Sequence, residues 1–384
     1  MEKVNMIAIL ADDLTSALDG AAPFAGKGLS ARVMLQIPTS PEHTADIISF
    51  DLNSRFLAPE ESSHRFELAA DIVKHADIIY KTIDSTLRGN LGYETRGTLI
   101  GSKRKKALVI PAFPDAGRTT IKGMQYVHGL LLEHTEFAQD PTHPITTSSV
   151  AKRMEGLDSM LYHIFDAESN EDIDVILHNE GLLSPVVWVG SPGIASALSR
   201  AVNKTKETRP LQMQTDVSRV LVIVGSLHQT NQAQINRLLR SDSDAYLITV
   251  TDDITSDAVA HEISTAFLDH SVVCIITSRE RKKTATLSST PSEKLGEIVA
   301  LCASLFNGLV VTGGDTARQI VDAINASSLD LLGEVEPGVP FGILNTPERN
   351  IPFSTKAGGF GNEETLFQCV QALRIKRITT HEKF

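Results

Sequence analysis

Short strand-like runs recur along the whole chain, and each is followed by a turn and then a stretch with helical patterning. The first half holds such runs at 6–11, 32–36, 46–50, 77–81, 107–110 and 186–189; the second half holds them at 220–224, 245–250, 272–277, 309–312 and 342–344. Strands that alternate with helices in this way specify an α/β fold with a largely parallel sheet. With 384 residues the chain can bury two separate cores. The polar segment 203–218, rich in Lys, Thr and Gln, is the best candidate linker, although a surface loop inside one domain would read the same way. The expected organisation is two α/β domains, 1–205 and 206–384, each with a largely parallel sheet.

Composition narrows the function. A formal net charge of −11 argues against a nucleic-acid partner, which requires a broad basic face. The one basic run, Lys103 to Lys106, reads as the solvated end of a helix before the strand at 107–110. No apolar run approaches a membrane span, and the first strand starts within the first ten residues, so the expectation is a cytoplasmic protein without a signal peptide. Cys274, Cys302 and Cys369 are scattered without metal or CxxC spacing and read as reduced and buried; no metal-ligand cluster is identified. There is no GxxxxGK[ST] loop, no GxGxxG after a strand, no HExxH and no GxSxG elbow.

In open α/β sheets ligands bind at the carboxyl ends of the strands, and three loops there in the first half are dense in functional groups. The first strand ends in Asp12-Asp13-Leu14-Thr15-Ser16. One aspartate can cap the following helix, which leaves the other free to accept a proton from an attacking hydroxyl. The segment Lys81-Thr82-Ile83-Asp84-Ser85-Thr86-Leu87-Arg88-Gly89-Asn90 supplies both donors and acceptors, as recognition of a polyol requires. In Pro111-Ala112-Phe113-Pro114-Asp115-Ala116-Gly117-Arg118-Thr119-Thr120 a tight loop presents an arginine and two hydroxyls. Arg88 and Arg118 can each grip an anion through two parallel hydrogen bonds. The stretch 123–129 and the Asp140–Pro144 region read as further loops of the same site; His128 and His143 read more simply as hydrogen-bonded loop residues.

The second half has a different character. Gly225-Ser226-Leu227-His228 and Gly313-Gly314-Asp315-Thr316 each lie between a strand and a helix, and Lys356-Ala357-Gly358-Gly359-Phe360-Gly361 adds a lysine and three glycines. Such turns leave backbone N–H groups free at a helix N-terminus, where phosphate is favoured. Each turn alone also has a purely steric reading, as Gly190-Ser191-Pro192-Gly193 in the first half illustrates.

Taken together, Ala11-Asp12-Asp13-Leu14-Thr15, the 81–90 segment, Pro111-Ala112-Phe113-Pro114 with Gly117-Arg118-Thr119-Thr120, Gly313-Gly314-Asp315-Thr316 and Lys356–Gly361 resemble the four-carbon acid sugar kinase family. That family includes the 3-oxo-tetronate, D-threonate and D-erythronate kinases. The resemblance implies an N-terminal domain for the acid sugar, a C-terminal domain for ATP, and a cleft between them. It places Asp12, Asp13, Asp84, Arg88 and Arg118 around the sugar acid; the loops that carry them make Lys81, Ser85, Asn90 and Thr119 further expected contacts, and Asp13 or Asp12 is expected to orient or deprotonate the substrate hydroxyl. It assigns Ser226, Gly313, Gly314, Asp315, Thr316, Gly358 and Gly359 to ATP; His228 and Lys356 are expected beside them from the turns that carry them, with Lys356 neutralising the phosphates and Mg2+ bridging them. Departures from the family pattern are Ser16 in place of glycine, Leu227 and His228 in place of a Cys-Ser pair, and Ala357 in place of serine. The substrate then remains open among linear tetronates, 3-oxo-tetronates and a branched relative such as 3-oxo-isoapionate, and a homo-oligomer is compatible with the sequence. A silent sensor of sugar acid or nucleotide, or a phosphosugar aldolase or isomerase, are the alternatives.

Overall fold

A computed structural model describes residues 4–38, 45–139, 144–202, 216–225, 229–251, 253–277 and 290–374. The chain divides into two compact units, Met1–Arg209 and Pro210–Phe384. Among the described residues no helix is long and apolar enough to cross a membrane.

The N-terminal unit runs β1 (Ile7–Ala11), α1 (Leu14–Ala25), β2 (Ala31–Met34), β3 (Ile47–Asp51), α2 (Pro59–Ile72), β4 (Ile78–Thr82), α3 (Leu91–Ser102) and β5 (Ala107–Ile110). A small antiparallel sheet follows, made of β6 (Arg118–Ile121), β7 (Met124–Val127) and β8 (Leu130–Leu131). After it come α4 (Val150–Arg153), β9 (Tyr162–Ile164), α5 (Asn170–Glu180), β10 (Val187–Gly190) and α6 (Pro192–Ala201). The main sheet has the order β2-β3-β1-β4-β10-β5-β9, with every pairing parallel. β1, β3, β4, β5 and β10 are buried along their whole length, because helices cover both faces. The chain first builds β2 and β3 on one side of β1 and then crosses to β4 on the other. This makes the carboxyl ends of β1 and β4 a topological switch point, where the crossovers part and leave a crevice.

The C-terminal unit repeats that plan. It runs β11 (Val220–Val224), α7 (Gln229–Ser241), β12 (Ala245–Val250), α8 (Ser256–Asp269), β13 (Val272–Thr277), α9 (Pro291–Leu301), β14 (Gly308–Thr312) and α10 (Gly314–Ala323), and closes with β15 (Ser328–Glu334), β16 (Pro340–Asn345), β17 (Asn350–Lys356) and α11 (Thr365–Arg374). The strand order is β12-β13-β11-β14-β17-β16-β15, parallel through β17 and antiparallel from there to β15. Its switch point lies between β11 and β14, beside the Gly225 and Gly313 turns.

The helix pair α2–α3 covers one face of the N-terminal sheet unusually closely. A Cβ on Gly97 would meet the carbonyl oxygen of Ser63 at 2.0 Å, and one on Gly101 that of Glu67 at 2.1 Å, so only glycine permits the approach. The close crossing carries Glu94 into the core. Its Oε2 lies 2.6 Å from Lys81 Nζ, and its Oε1 accepts from Ser62 Oγ at 2.9 Å and Ser54 Oγ at 3.3 Å. Lys81 and Glu94 are each wholly buried, and the Lys81 ammonium also lies over the Phe66 ring. Lys81, expected at the substrate, is therefore an internal counter-charge: its side chain leaves β4 toward α2 and α3. Removing one member of a buried ion pair strands the other, at a cost of about 3–5 kcal/mol. Lys81→Met is expected to destabilise the N-terminal unit by that amount in a urea titration followed by Trp188, the chain's single tryptophan, which is buried in β10. Adding Glu94→Gln is expected to recover most of the loss; no recovery would contradict the pairing.

Candidate active site

The β1–α1 turn places two carboxylates side by side. Asp13 is the N-cap of α1, and its Oδ1 accepts from the Ser16 backbone N–H at 2.8 Å. The Asp12 side chain is buried, and its carbonyl accepts the Ser54 N–H at 2.8 Å. Both carboxylates converge on Arg55, from the loop between β3 and α2. Arg55 Nε lies 2.7 Å from Asp12 Oδ2 and Nη2 lies 3.0 Å from Asp12 Oδ1, a bidentate pair. Its Nη1 pairs with Asp13 Oδ2, and Nη2 also donates to Ser16 Oγ at 3.2 Å. Sequence reasoning missed Arg55. Two adjacent acids at the buried end of a strand demand a nearby cation, and that requirement is the signal that points to it.

This arrangement separates the two aspartates. Both oxygens of Asp12 are engaged by Arg55, and its side chain is 2% exposed, against 28% for Asp13. Burial pushes the Asp13 carboxyl up to about 6; Arg55 pulls it down, while the Asp12 charge pushes it further up. Asp13 therefore sits well above the usual carboxylate range.

The 81–90 segment curls after β4 with Leu87 at φ 60° and Gly89 at φ 95°. Arg153 of α4 holds the curl, its Nε donating to the Leu87 carbonyl at 2.9 Å and its Nη2 to that of Gly89 at 2.8 Å. Within it Asp84 Oδ2 accepts from Thr86 Oγ1 at 2.5 Å and from Arg88 Nε at 2.5 Å. Burial alone would raise the Asp84 carboxyl, but Arg88 and then Arg55 outweigh it and hold it down at about 2. Asp84 is thus ionised throughout the range in which Asp13 changes charge. Ser85 is half-buried and contributes its carbonyl to Gln125. Asn90 Nδ2 donates to the Leu57 carbonyl at 3.0 Å, which anchors the loop that carries Arg55.

Arg118 and Thr119, expected on a loop, begin β6 and pair across to Val127 and Tyr126 of β7. The stretch 123–129, likewise read as a loop, is mostly β7, and Gln125 on it joins the motifs. Gln125 Oε1 accepts from Thr120 Oγ1 at 2.8 Å, and its Nε2 donates to the carbonyls of Ser85 at 3.0 Å and Pro111 at 3.4 Å. One buried amide so locks the Asp84 loop to the Arg118 loop. Arg118 Nη1 donates to the Ala116 carbonyl, while its Nε is buried with no hydrogen-bond partner among the described residues. His128 turns at φ 48° and packs its ring against Gly117, a structural role; His143 lies outside the described residues.

In the C-terminal unit Gly313, at φ 97°, is the N-cap of α10, and its N–H donates to the Lys356 carbonyl at 2.9 Å. Gly314, Asp315 and Thr316 form the first turn, whose N–H groups have no intrahelical acceptor. Asp315 is exposed, and Thr316 is buried with its Oγ1 3.3 Å from Ser292 Oγ. Gly225 ends β11 against this turn: a Cβ there would lie 1.9 Å from Thr316 Oγ1. Gly358 is half-buried and Gly359 exposed, whereas Lys356 is buried and its ammonium is turned inward. Ser226 and His228 lie outside the described residues. Among the described residues no group of three or more His, Cys, Asp or Glu is placed to hold a metal ion.

A family model described as a sugar-binding N-terminal domain matches residues 7–156, and one described as a nucleotide-binding C-terminal domain matches 221–366. The D-threonate kinase of Salmonella typhimurium is 29% identical over 93% of this chain and 96% of its own length. The D-erythronate kinase of Heliobacterium modesticaldum is 27% identical over 97% of this chain and 98% of its own. A solved Salmonella typhimurium structure superposes with a TM-score of 0.82 at 19% identity, covering 96% of this chain and 99% of that one, which establishes the shared fold. The two matched domains in this order, with full-length kinase relatives, show that the chain belongs to the four-carbon acid sugar kinase family.

Proposed function

We propose that this protein is a sugar-acid kinase that transfers the terminal phosphoryl group of ATP to a hydroxyl of a four-carbon acid of the threonate and erythronate type. Residues 1–205 hold the acid and 206–384 the nucleotide. The observation that carries the reading is the Asp12–Arg55–Asp13 cluster, in which one carboxylate is buried with both oxygens on Arg55 and its neighbour is the more exposed and is raised above the usual carboxylate range.

Asp13 Oδ2 accepts the substrate's hydroxyl proton. The hydroxyl oxygen forms its bond to the γ-phosphorus, the bond to the β–γ bridging oxygen breaks, and ADP leaves. Asp12 remains with Arg55 and fixes the guanidinium. Asp84 receives its donors on Oδ2, which leaves Oδ1 to accept from a second substrate hydroxyl. Arg88 and Arg118 take the acid's carboxylate and diol, and the buried Nε–H of Arg118 finds there the acceptor that it lacks among the described residues. Ser85 and Thr119 complete the rim. In the nucleotide unit the amides of Gly314, Asp315 and Thr316 meet the phosphates. Mg2+ would arrive with the nucleotide, Asp315 would be the carboxylate beside it, and the ion would supply charge neutralisation to the phosphates. Such catalysis is mainly positioning and charge neutralisation, so residues that do no covalent chemistry still matter.

Asp13→Asn is expected to lower kcat by about 10²–10⁴-fold, the usual worth of a general base, with the fold intact by circular dichroism. Near-normal turnover would remove Asp13 from this role. Arg118→Ala is expected to raise KM for the acid far more than KM for ATP in steady-state kinetics; equal effects would move Arg118 away from the acid. Because Asp13 must be ionised to accept a proton, kcat/KM is expected to fall as pH drops through about 6. Arg55→Ala removes the attraction that holds that carboxyl down, so the same acid limb is expected to move to higher pH. An unmoved limb would separate Arg55 from the base.

A further inference from the structure

Lys356 stands at the end of β17, directly before the glycine-rich turn, where a lysine would ordinarily be read as a phosphate ligand. Its geometry says otherwise. The residue is 3% exposed, and Nζ lies 2.8 Å from Asn231 Oδ1 on α7, 3.2 Å from each of the Ala357 and Gly358 carbonyls and 3.0 Å from that of Phe360. An ammonium has three N–H bonds, and four oxygens already share them. A phosphate oxygen could be engaged only by breaking this cage.

The cage has a consequence for the other side of the turn. In a trans peptide the carbonyl of one residue and the N–H of the next point in opposite directions, and among the described residues no peptide is cis. Drawing the carbonyls of Ala357, Gly358 and Phe360 onto the ammonium therefore turns the N–H groups of Gly358, Gly359 and Gly361 outward. None of those amides has a hydrogen-bond partner among the described residues, whereas the neighbouring Phe360 N–H is used within the turn by the Ala357 carbonyl. Successive outward amides form an anion-binding concavity. Gln234 of α7 braces the same turn, donating to the carbonyls of Phe360 at 3.1 Å and Asn362 at 2.8 Å.

We infer that Lys356 is a positioning residue: its ammonium, caged with Asn231, shapes the 357–361 turn so that the amides of Gly358, Gly359 and Gly361 bind the nucleotide's phosphates. The inference rests on the nucleotide reading of this unit. Burial also pushes the Lys356 ammonium down to about 8, with Cys369 and Glu336 the groups that hold it up; Asn231 and Gln234 on α7 are uncharged. The cage is then intact at neutral pH and loses its proton under mildly alkaline conditions.

The test is calorimetric titration of the full chain with ADP. Lys356→Met is expected to raise Kd roughly tenfold, and Asn231→Ala, which removes a buried cage oxygen, is expected to weaken binding in the same direction. Asn231→Asp keeps an oxygen at that place and is expected to bind ADP like the wild type. For the wild type, Kd is expected to rise between about pH 7 and about pH 9, and Lys356→Met is expected to lose that dependence. A lysine that touched phosphate directly would make Asn231→Ala neutral or tighter, and that result overturns the inference alone. Absence of ADP binding by the wild type overturns the nucleotide reading and the inference with it.

Discussion

Two carboxylates on consecutive residues at the buried end of a strand repel each other and lose hydration, so one cation must hold them. Arg55 is that cation. Its bidentate grip on Asp12 and its contact with Asp13 set the geometry of the β1–α1 turn. Much of the N-terminal unit serves to keep Arg55 in place. Its neighbour Ser54 bonds back to Glu94, Glu94 is neutralised by Lys81, and Asn90 ties the following loop at Leu57. The glycine-paved crossing of α2 and α3 is what brings Glu94 within reach. A buried charge network of this kind adds little net stability and fixes positions instead.

Most of the parallel strands were readable because helices cover both faces and make them short apolar runs. β5, β11, β12 and β13 occupy the expected residues. The antiparallel elements were harder to see. β17 contains Pro352, which ordinarily argues against a strand, and β15 alternates buried and half-buried residues with charges at Asp330 and Glu334. β6 was read as loop because Arg118-Thr119-Thr120 looks polar, although Thr120 and Gln125 bury their polar atoms against each other.

Within the candidate site, the motif loops were legible as donors and acceptors crowded at strand ends, while the pairing among them was not. Lys81 and Lys356 both looked like ligand-facing lysines, yet each points inward to oxygens supplied by another element, Glu94 on α3 and Asn231 on α7. Arg55 was invisible for the converse reason: it sits in no dense motif. Gln125 lay in a stretch read as a loop of the site, but the importance of both arises only when distant segments meet. Residue type at a strand end thus predicts the chemistry of a site, but tertiary partners decide which of its residues remain free for a ligand.

Both units place their first strand between an early and a late crossover, and the polar turns gather at that switch point in each. In the proposed reaction one switch point holds the acceptor acid and the other the donor nucleotide. ADP release by the purified full chain, measured with ATP and D-threonate or D-erythronate, bears most directly on this reading. The expected result is ADP formed in step with phosphorylated acid by the wild type, with almost none from Asp13→Asn. ADP release that is no faster with either acid than without it would contradict the assignment.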